Sequence, residues 1–224
     1  MTILWLANEG PGRSATSLVQ TSGTTRGVGA TGIVLAGGRS QRFGSDKLVA
    51  PYRGAPLLDH AVLRLAECTR EVIVVLAPEG VEPSFPPGVS VRTVRDAIAD
   101  QGPLEGVLAG LVAAGSDLAV VIAGDMPEVS TAVAMEMLRV VANDATVQAV
   151  TLQDGDRFRP LPLVVRTGPA LEAAHALRHR GERRLRALPE ALRTAVIDEG
   201  TWHGLDPELG TVWDIDEPSD LRGQ

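Results

Sequence analysis

A chain of 224 residues with 44% hydrophobic and 22% charged residues has ordinary globular composition and is not a largely disordered protein. Its net charge of −7 and 3% aromatic content argue against a nucleic-acid partner, since phosphates would be repelled and a base-stacking platform would lack its rings. One cysteine, Cys68, excludes a disulfide framework or multi-cysteine metal site, and no run approaches the roughly 20 apolar residues of a membrane span.

Residues 1–30 include the stretch GPGRSATSLVQTSGTTRGVGA, rich in Gly, Ser and Thr without an apolar period, and read as a flexible leader. The short apolar start over residues 3–7 could add to a neighbour but is not counted as an element. The opening MTILWLANEGPGR lacks the basic start and long apolar stretch of a secretory signal, which predicts a cytoplasmic protein. From residue 31 the pattern changes. Short apolar runs rich in Val and Ile (GIVLA, EVIVVLA, VSVRTV, DLAVVIAG, VQAVTL) predict strands buried on both faces. Stretches 56–68, 102–114 and 130–142 predict helices between them. PLPLVVR, RTAVID and GTVWDID predict further strands, and a helical pair spans about residues 168–192. The alternation predicts one domain over residues 31–224, a Rossmann-like α/β fold with an open, mostly parallel sheet and helices on both faces. In such sheets ligands sit beyond the carboxyl ends of the strands, at the switch in strand order. That rule points to the residues directly after GIVLA, VRTV, DLAVVIAG and GTVWDID.

The first of these loops lies within LAGGRSQRFGSDK, residues 35–47. Gly37 and Gly38 let the backbone approach a phosphate and form an anion-binding nest, and Arg42 and Lys47 add mobile positive charge. The spacing is not that of a P-loop, because Lys47 does not directly follow a glycine, nor that of the dinucleotide fingerprint. Reduced to GG-x-x-x-R, it fits a surface turn with two solvated cations equally well.

The full string resembles the signature L-A-G-G-x-x-x-R-[MF]-G-x-D-K of the molybdenum cofactor guanylyltransferases and their relatives in the nucleotidyltransferase superfamily. Four more stretches resemble that family in the same order. RGAPLLDH at 53–60 matches G-x-P-L-L-x-H, and DAIADQGPLEG at 96–106 matches D-x-x-x-x-x-G-P-L-x-G. GDMP at 124–127 follows a core strand, and WDIDEPSDL at 213–221 matches D-I-D-x-P-x-D-L. Together they span residues 31–222.

The resemblance implies a Mg²⁺-dependent nucleotidyltransferase that moves GMP from GTP to molybdopterin-bound molybdenum cofactor and releases pyrophosphate. Such a reaction needs a metal, backbone N–H groups and cations around the triphosphate. The attacking phosphate is already an anion near neutral pH, so no catalytic histidine is required. On this reading Leu35, Ala36, Gly37 and Gly38 form the cradle, Arg42 lies on the β- and γ-phosphates, and Lys47 lies nearer the α-phosphate. Asp125, directly after its strand, offers a hard oxygen ligand suited to Mg²⁺; Asp216 would be the second ligand, with Asp214 its nearby competitor. Asp96, Gly102 and Pro103 would sit against the base and ribose. The L-A-G-G form, through Gly38, accompanies GTP use in the family, where L-A-A-G accompanies CTP. Arg157, Arg159 and Arg183, in RFRPL and GERRL, resemble elements on the pterin side and would present a basic wall to the acceptor phosphate. The implied partners are GTP, the pterin acceptor and transient contacts with molybdoenzymes or cofactor-synthesis proteins, with no nucleic acid and no membrane.

Other features have plainer readings. Asp125 taken alone could cap the next helix. His175 and His179 have the i, i+4 spacing of a zinc pair without the surrounding motif, and read as a solvated helix face. Cys68 reads as a small buried hydrophobe. Arg178, Arg180, Arg183, Arg184 and Arg186 taken alone are a solvated face paired with Glu172, Glu182 and Glu190. Two rival functions remain: a cytidylyl or other nucleotidyl transfer to a pterin, sugar phosphate or alcohol phosphate, and a nucleotide- or cofactor-binding partner without turnover.

Overall fold

Seven strands form the body of one sheet, and all but the edge strand Val91–Arg95 are mainly apolar runs that present side chains to both faces. The structure, a computed structural model, describes residues 3–6, 29–37, 47–96, 102–217 and 219–221. The seven are β2 (Ala30–Ala36), β5 (Glu71–Leu76), β6 (Val91–Arg95), β7 (Leu118–Ala123), β8 (Ala149–Asp154), β10 (Leu163–Arg166) and β11 (Thr194–Ile197). An edge strand, β1 (Ile3–Trp5), pairs antiparallel with β11, and the two-residue β9 (Arg157–Phe158) pairs with β8. The order across the sheet is β6-β5-β2-β7-β10-β8-β11-β1. β6, β5, β2 and β7 run parallel, as do β8 and β11. β10 is the exception inside the sheet, antiparallel to both β7 and β8.

Helices cover both faces. On one face α1 (Leu57–Ala66) and α3 (Thr131–Asn143) cover a core that includes Val34, Val72, Val74, Val120 and Ile122, and α6 (Glu199–Leu205) joins it against β8 and α3. On the other, α2 (Pro103–Ala113), α4 (Thr167–His179) and α5 (Ala187–Ala191) pack on Ile33, Ile73, Val75, Ala119 and Val121. Odd and even positions of one strand thus feed opposite cores. A small hairpin, β3 (Pro51–Tyr52) with β4 (Ala55–Pro56), leads into α1. The open, mostly parallel α/β sheet with two helical layers agrees with the sequence pattern, and no helix among the described residues is long and apolar enough to cross a membrane.

The structure corrects one element. GTVWDID is not a strand: Gly210–Val212 form a 3-10 turn and residues 213–216 have no regular structure. Side chains and loops claim its backbone, with Thr211 N–H donating to Asp206 Oδ2 at 2.7 Å and Ile215 N–H to the Asp125 carbonyl at 3.0 Å. Several short elements went unread, among them the β3–β4 hairpin, β9 and α6. β9 follows a tight turn at Gly155, whose φ is +59°. α6 is announced by Asp198, whose carboxylate accepts from Thr201 N–H at 3.0 Å as an N-cap. At the amino end the structure departs from the leader reading: Ile3–Trp5, not counted as an element, is an edge strand on β11, and Ala30 already belongs to β2.

Candidate active site

The parallel strands β6, β5, β2 and β7 end on one edge of the sheet, and the polar residues gather there. β7 closes at Ala123, and Gly124 N–H donates to the Leu35 carbonyl at 3.0 Å, locking the ends of β7 and β2 together. A Cβ on Gly124 would stand 3.1 Å from Leu48 and 3.2 Å from Leu58. The missing side chain lets the 3-10 turn Lys47–Val49 pack beneath the strand ends, which sets Lys47 against Asp125.

The geometry centres on that lysine. Lys47 Nζ donates to Asp125 Oδ2 at 2.5 Å and to the Ile215 carbonyl at 3.1 Å, and stands 3.6 Å from Asp216 Oδ1. The carboxy-terminal segment reaches the same spot because Ile215 is fully buried against Tyr52 and Leu57 while its N–H is held by Asp125. This apolar plug separates two acids that turn to different cations. Asp216 meets Lys47; Asp214 Oδ2 accepts from Arg159 at 2.8 Å. Arg159 also lies 3.5 Å from Asp154, and its Nε is buried without a hydrogen-bond partner among the described residues. Burial pushes the Asp214 carboxyl above its ordinary range; the Arg159 guanidinium opposes this and the charges of Asp125 and Asp216 add to it. The three carboxylates therefore share one field.

Two loops flank this centre. Asp96 follows β6, with its N–H on the Leu76 carbonyl at 2.9 Å. Gly102 opens α2 at φ +86°, and Leu104 N–H donates to the Arg183 carbonyl at 3.4 Å. The loop carrying Arg183 is held by Glu182, whose carboxylate accepts from the Arg183 and Arg184 N–H groups and the Arg184 side chain. Those Arg184 bonds, then the backbone bonds, hold the Glu182 carboxyl down at about 2.

The family model for the MobA-like NTP transferase domain matches residues 32–195. The chain belongs to this family. It is 33% identical over 196 residues to a probable molybdenum cofactor guanylyltransferase of Chloroflexus aggregans, covering 86% of this chain and 91% of that one. It is 38% identical to the protein of the same name from Mycobacterium avium, covering 85% and 92%. Among solved structures, molybdopterin-guanine dinucleotide biosynthesis protein A from Archaeoglobus fulgidus shares the fold with a TM-score of 0.68 at 22% identity, covering 85% of this chain and 94% of that one.

Within this nucleotidyltransferase the structure brings Lys47, Asp125 and Asp216 into one cluster and joins Arg159 to it through Asp214. Leu35 and Ala36 end β2, and Gly37 lies so close to the backbone of Ala77 that a Cβ would be 3.3 Å from its nitrogen. Gly102 and Arg183 touch through their backbones. Arg157 is exposed on β9, and Asp96 lies at β6, two strands from β2. Gly38 and Arg42 fall outside the described residues. The Ile215 carbonyl and Asp154 were not foreseen; a main-chain acceptor carries no residue-type signal, and Asp154 becomes a partner of Arg159 only through the β8–β9 turn.

Arg184 and Arg186 pair with Glu182 and Glu190, while Arg178 turns inward to Glu105 at 3.1 Å. His175 contacts Arg178 and His179 is exposed. Cys68 packs partly against the core, where burial, then the neighbouring Glu67 charge, pushes its thiol up to about 11, a protonated and poorly nucleophilic state.

Proposed function

We propose that this nucleotidyltransferase transfers GMP from GTP to the phosphate of molybdopterin-bound molybdenum cofactor, releasing pyrophosphate, with Mg²⁺ at Asp125 and Asp216. The observation that carries the reading is the convergence of both carboxylates on one cation beside the strand ends. Among the described residues no three His, Cys, Asp or Glu side chains form a ready cage. Mg²⁺ does not need one, since it commonly takes one or two carboxylates and completes its shell with phosphate oxygens and water. Hard oxygen donors that already approach one ammonium fit that requirement. Bound there, the ion would offset charge developing on the leaving pyrophosphate.

The chain's own groups supply the rest. Backbone near Gly37 gives close approach to the triphosphate, and Lys47 adds a mobile positive charge to balance it. Asp96 and the Gly102–Pro103 turn lie towards the base and ribose. Arg159, with a donor left unsatisfied, suits an acceptor phosphate, because a buried N–H without a partner is costly until a ligand supplies one. Arg157 and Arg183 would extend this wall. The names of the guanylyltransferase relatives support GTP over CTP, and transient contact with proteins that supply or receive the cofactor belongs to the same reading.

Thermal unfolding with Mg²⁺ and each of GTP, CTP, UTP and ATP tests it. A ligand at about 100 times its Kd stabilises by ~2.7 kcal/mol, and at roughly 2–4 °C per kcal/mol GTP alone should raise Tm by several degrees. A shift with CTP instead would replace the guanylyl reading by a cytidylyl one. Tight binding without pyrophosphate release would indicate a carrier that does not turn over.

A further inference from the structure

Of the 21 Lys and Arg residues in the chain, Lys47 is the one lysine. Every other cationic site in this protein is served by arginine, yet an ammonium stands where the two proposed metal ligands meet. The geometry explains the choice. Nζ lies 2.5 Å from Asp125, 3.1 Å from the Ile215 carbonyl and 3.6 Å from Asp216, and the Lys47 and Asp125 side chains are only 17% and 20% exposed. A compact point charge with three rotatable donors can serve three acceptors arranged around one point; a planar guanidinium fork cannot do so in the same space.

The same arrangement has a consequence for metal entry. An oxygen that is 2.5 Å from an ammonium has no room for a divalent ion on that side, and two cations at one point repel strongly. We propose that Lys47 is a built-in counter-cation that keeps the Asp125–Asp216 site closed while no metal is bound, so that entry of the divalent ion and departure of the lysine are one event. The departing ammonium is then available to the triphosphate. Binding is thereby ordered by charge: metal and nucleotide together can release the lysine, because the ion takes its carboxylates and the phosphates give it new partners. This inference rests on the proposed metal site.

A single lysine makes the test direct. Protein labelled with ¹⁵N-lysine has one ε-ammonium resonance, observed without metal, and the same sample is titrated with Mg²⁺ and then with Mg²⁺ and GTP. Mn²⁺ binding is measured in parallel by electron paramagnetic resonance, without and with GTP. The closed-site model predicts that the resonance moves in step with metal occupancy. It also predicts that Lys47→Gln tightens binding of Mn²⁺ alone by about tenfold, whereas Arg159→Gln, which removes the same charge from neighbouring Asp214, gains less than about threefold. A resonance that stays put while metal binds, or equal gains from both variants, would overturn the latch and leave the metal site standing. Absence of Mn²⁺ binding to wild type and to Lys47→Gln, even with GTP, would instead remove the metal site and the latch with it.

Discussion

Asp125 makes two kinds of contact, and only one of them depends on its charge. Its backbone carbonyl holds Ile215 while its carboxylate meets Lys47. Asp125→Asn should therefore preserve the fold and lower nucleotidyl transfer by about 100-fold or more, the scale on which a lost charge-stabilising group acts; steady-state pyrophosphate release reads the effect, and transfer at the wild-type rate would remove Asp125 from the metal role. On the proposed reading, Arg159 serves the other substrate. Arg159→Ala should raise KM for the acceptor by roughly 10-fold, as expected for a charge-assisted hydrogen bond of about 1.5 kcal/mol or more, and leave GTP binding unchanged. Unaltered acceptor kinetics would reject that assignment. These residues differ in how legible they were. Lys47, Asp125 and Asp216 all sit inside long motifs, but only Asp125 is brought to the sheet edge by chain direction, directly after β7; Lys47 gets there through a 3-10 turn and Asp216 through the buried Ile215. The pairing of Arg159 with Asp214 spans 55 positions and depends on how the carboxy-terminal segment is plugged by Ile215, which no local pattern reports.

At the scale of elements, the start of α2 shows how a turn joins two parts of the site. Gly102 has φ +86° and ψ 171°, a region almost confined to glycine, and a Cβ there would be 2.8 Å from the Arg183 carbonyl oxygen. Gly102→Ala should cost about 1–3 kcal/mol, seen as a lower Tm, and should weaken nucleotide binding by displacing the turn from the Arg183 loop. An alanine protein with wild-type Tm would show that the turn relaxes without strain. Central strands and α1 to α5 were readable because buried runs and helical periods repeat over several residues. Other features were not. The reversed direction of β10 leaves its buried sequence, LVVR, indistinguishable from that of a parallel strand. The heptapeptide helix α6 is too short to show a clear period, and only its Asp198 cap marks it. Residues 210–216 have strand-like composition, but their backbone bonds are taken by Asp206 and Asp125 across the molecule.

For the whole molecule, the sheet has two ends of different character. β6 carries Arg92 and Arg95 on an exposed edge strand, charges that discourage a further strand from adding. At the opposite end β11 is Thr194-Ala195-Val196-Ile197, buried at every position, an edge that would be sticky if uncovered. β1 covers it: Ile3, Leu4 and Trp5 pair with Ile197, Val196 and Ala195, Leu6 N–H donates to the Thr194 carbonyl at 3.2 Å, and the Arg193 guanidinium lies 5.1 Å from the centre of the Trp5 ring. Three cross-strand pairs are together worth roughly 1–3 kcal/mol, so a chain beginning at residue 7 should melt several degrees lower, at ~2–4 °C per kcal/mol. It should also scatter light increasingly with protein concentration, because the bared β11 edge can pair with another copy. The added stability from Mg²⁺ and GTP should stay the same, since β1 lies four strands away from β7. A truncated chain with unchanged Tm and no added scattering would show that the amino-terminal strand does not protect the sheet. One that lost the nucleotide shift as well would tie this strand to the site through the sheet.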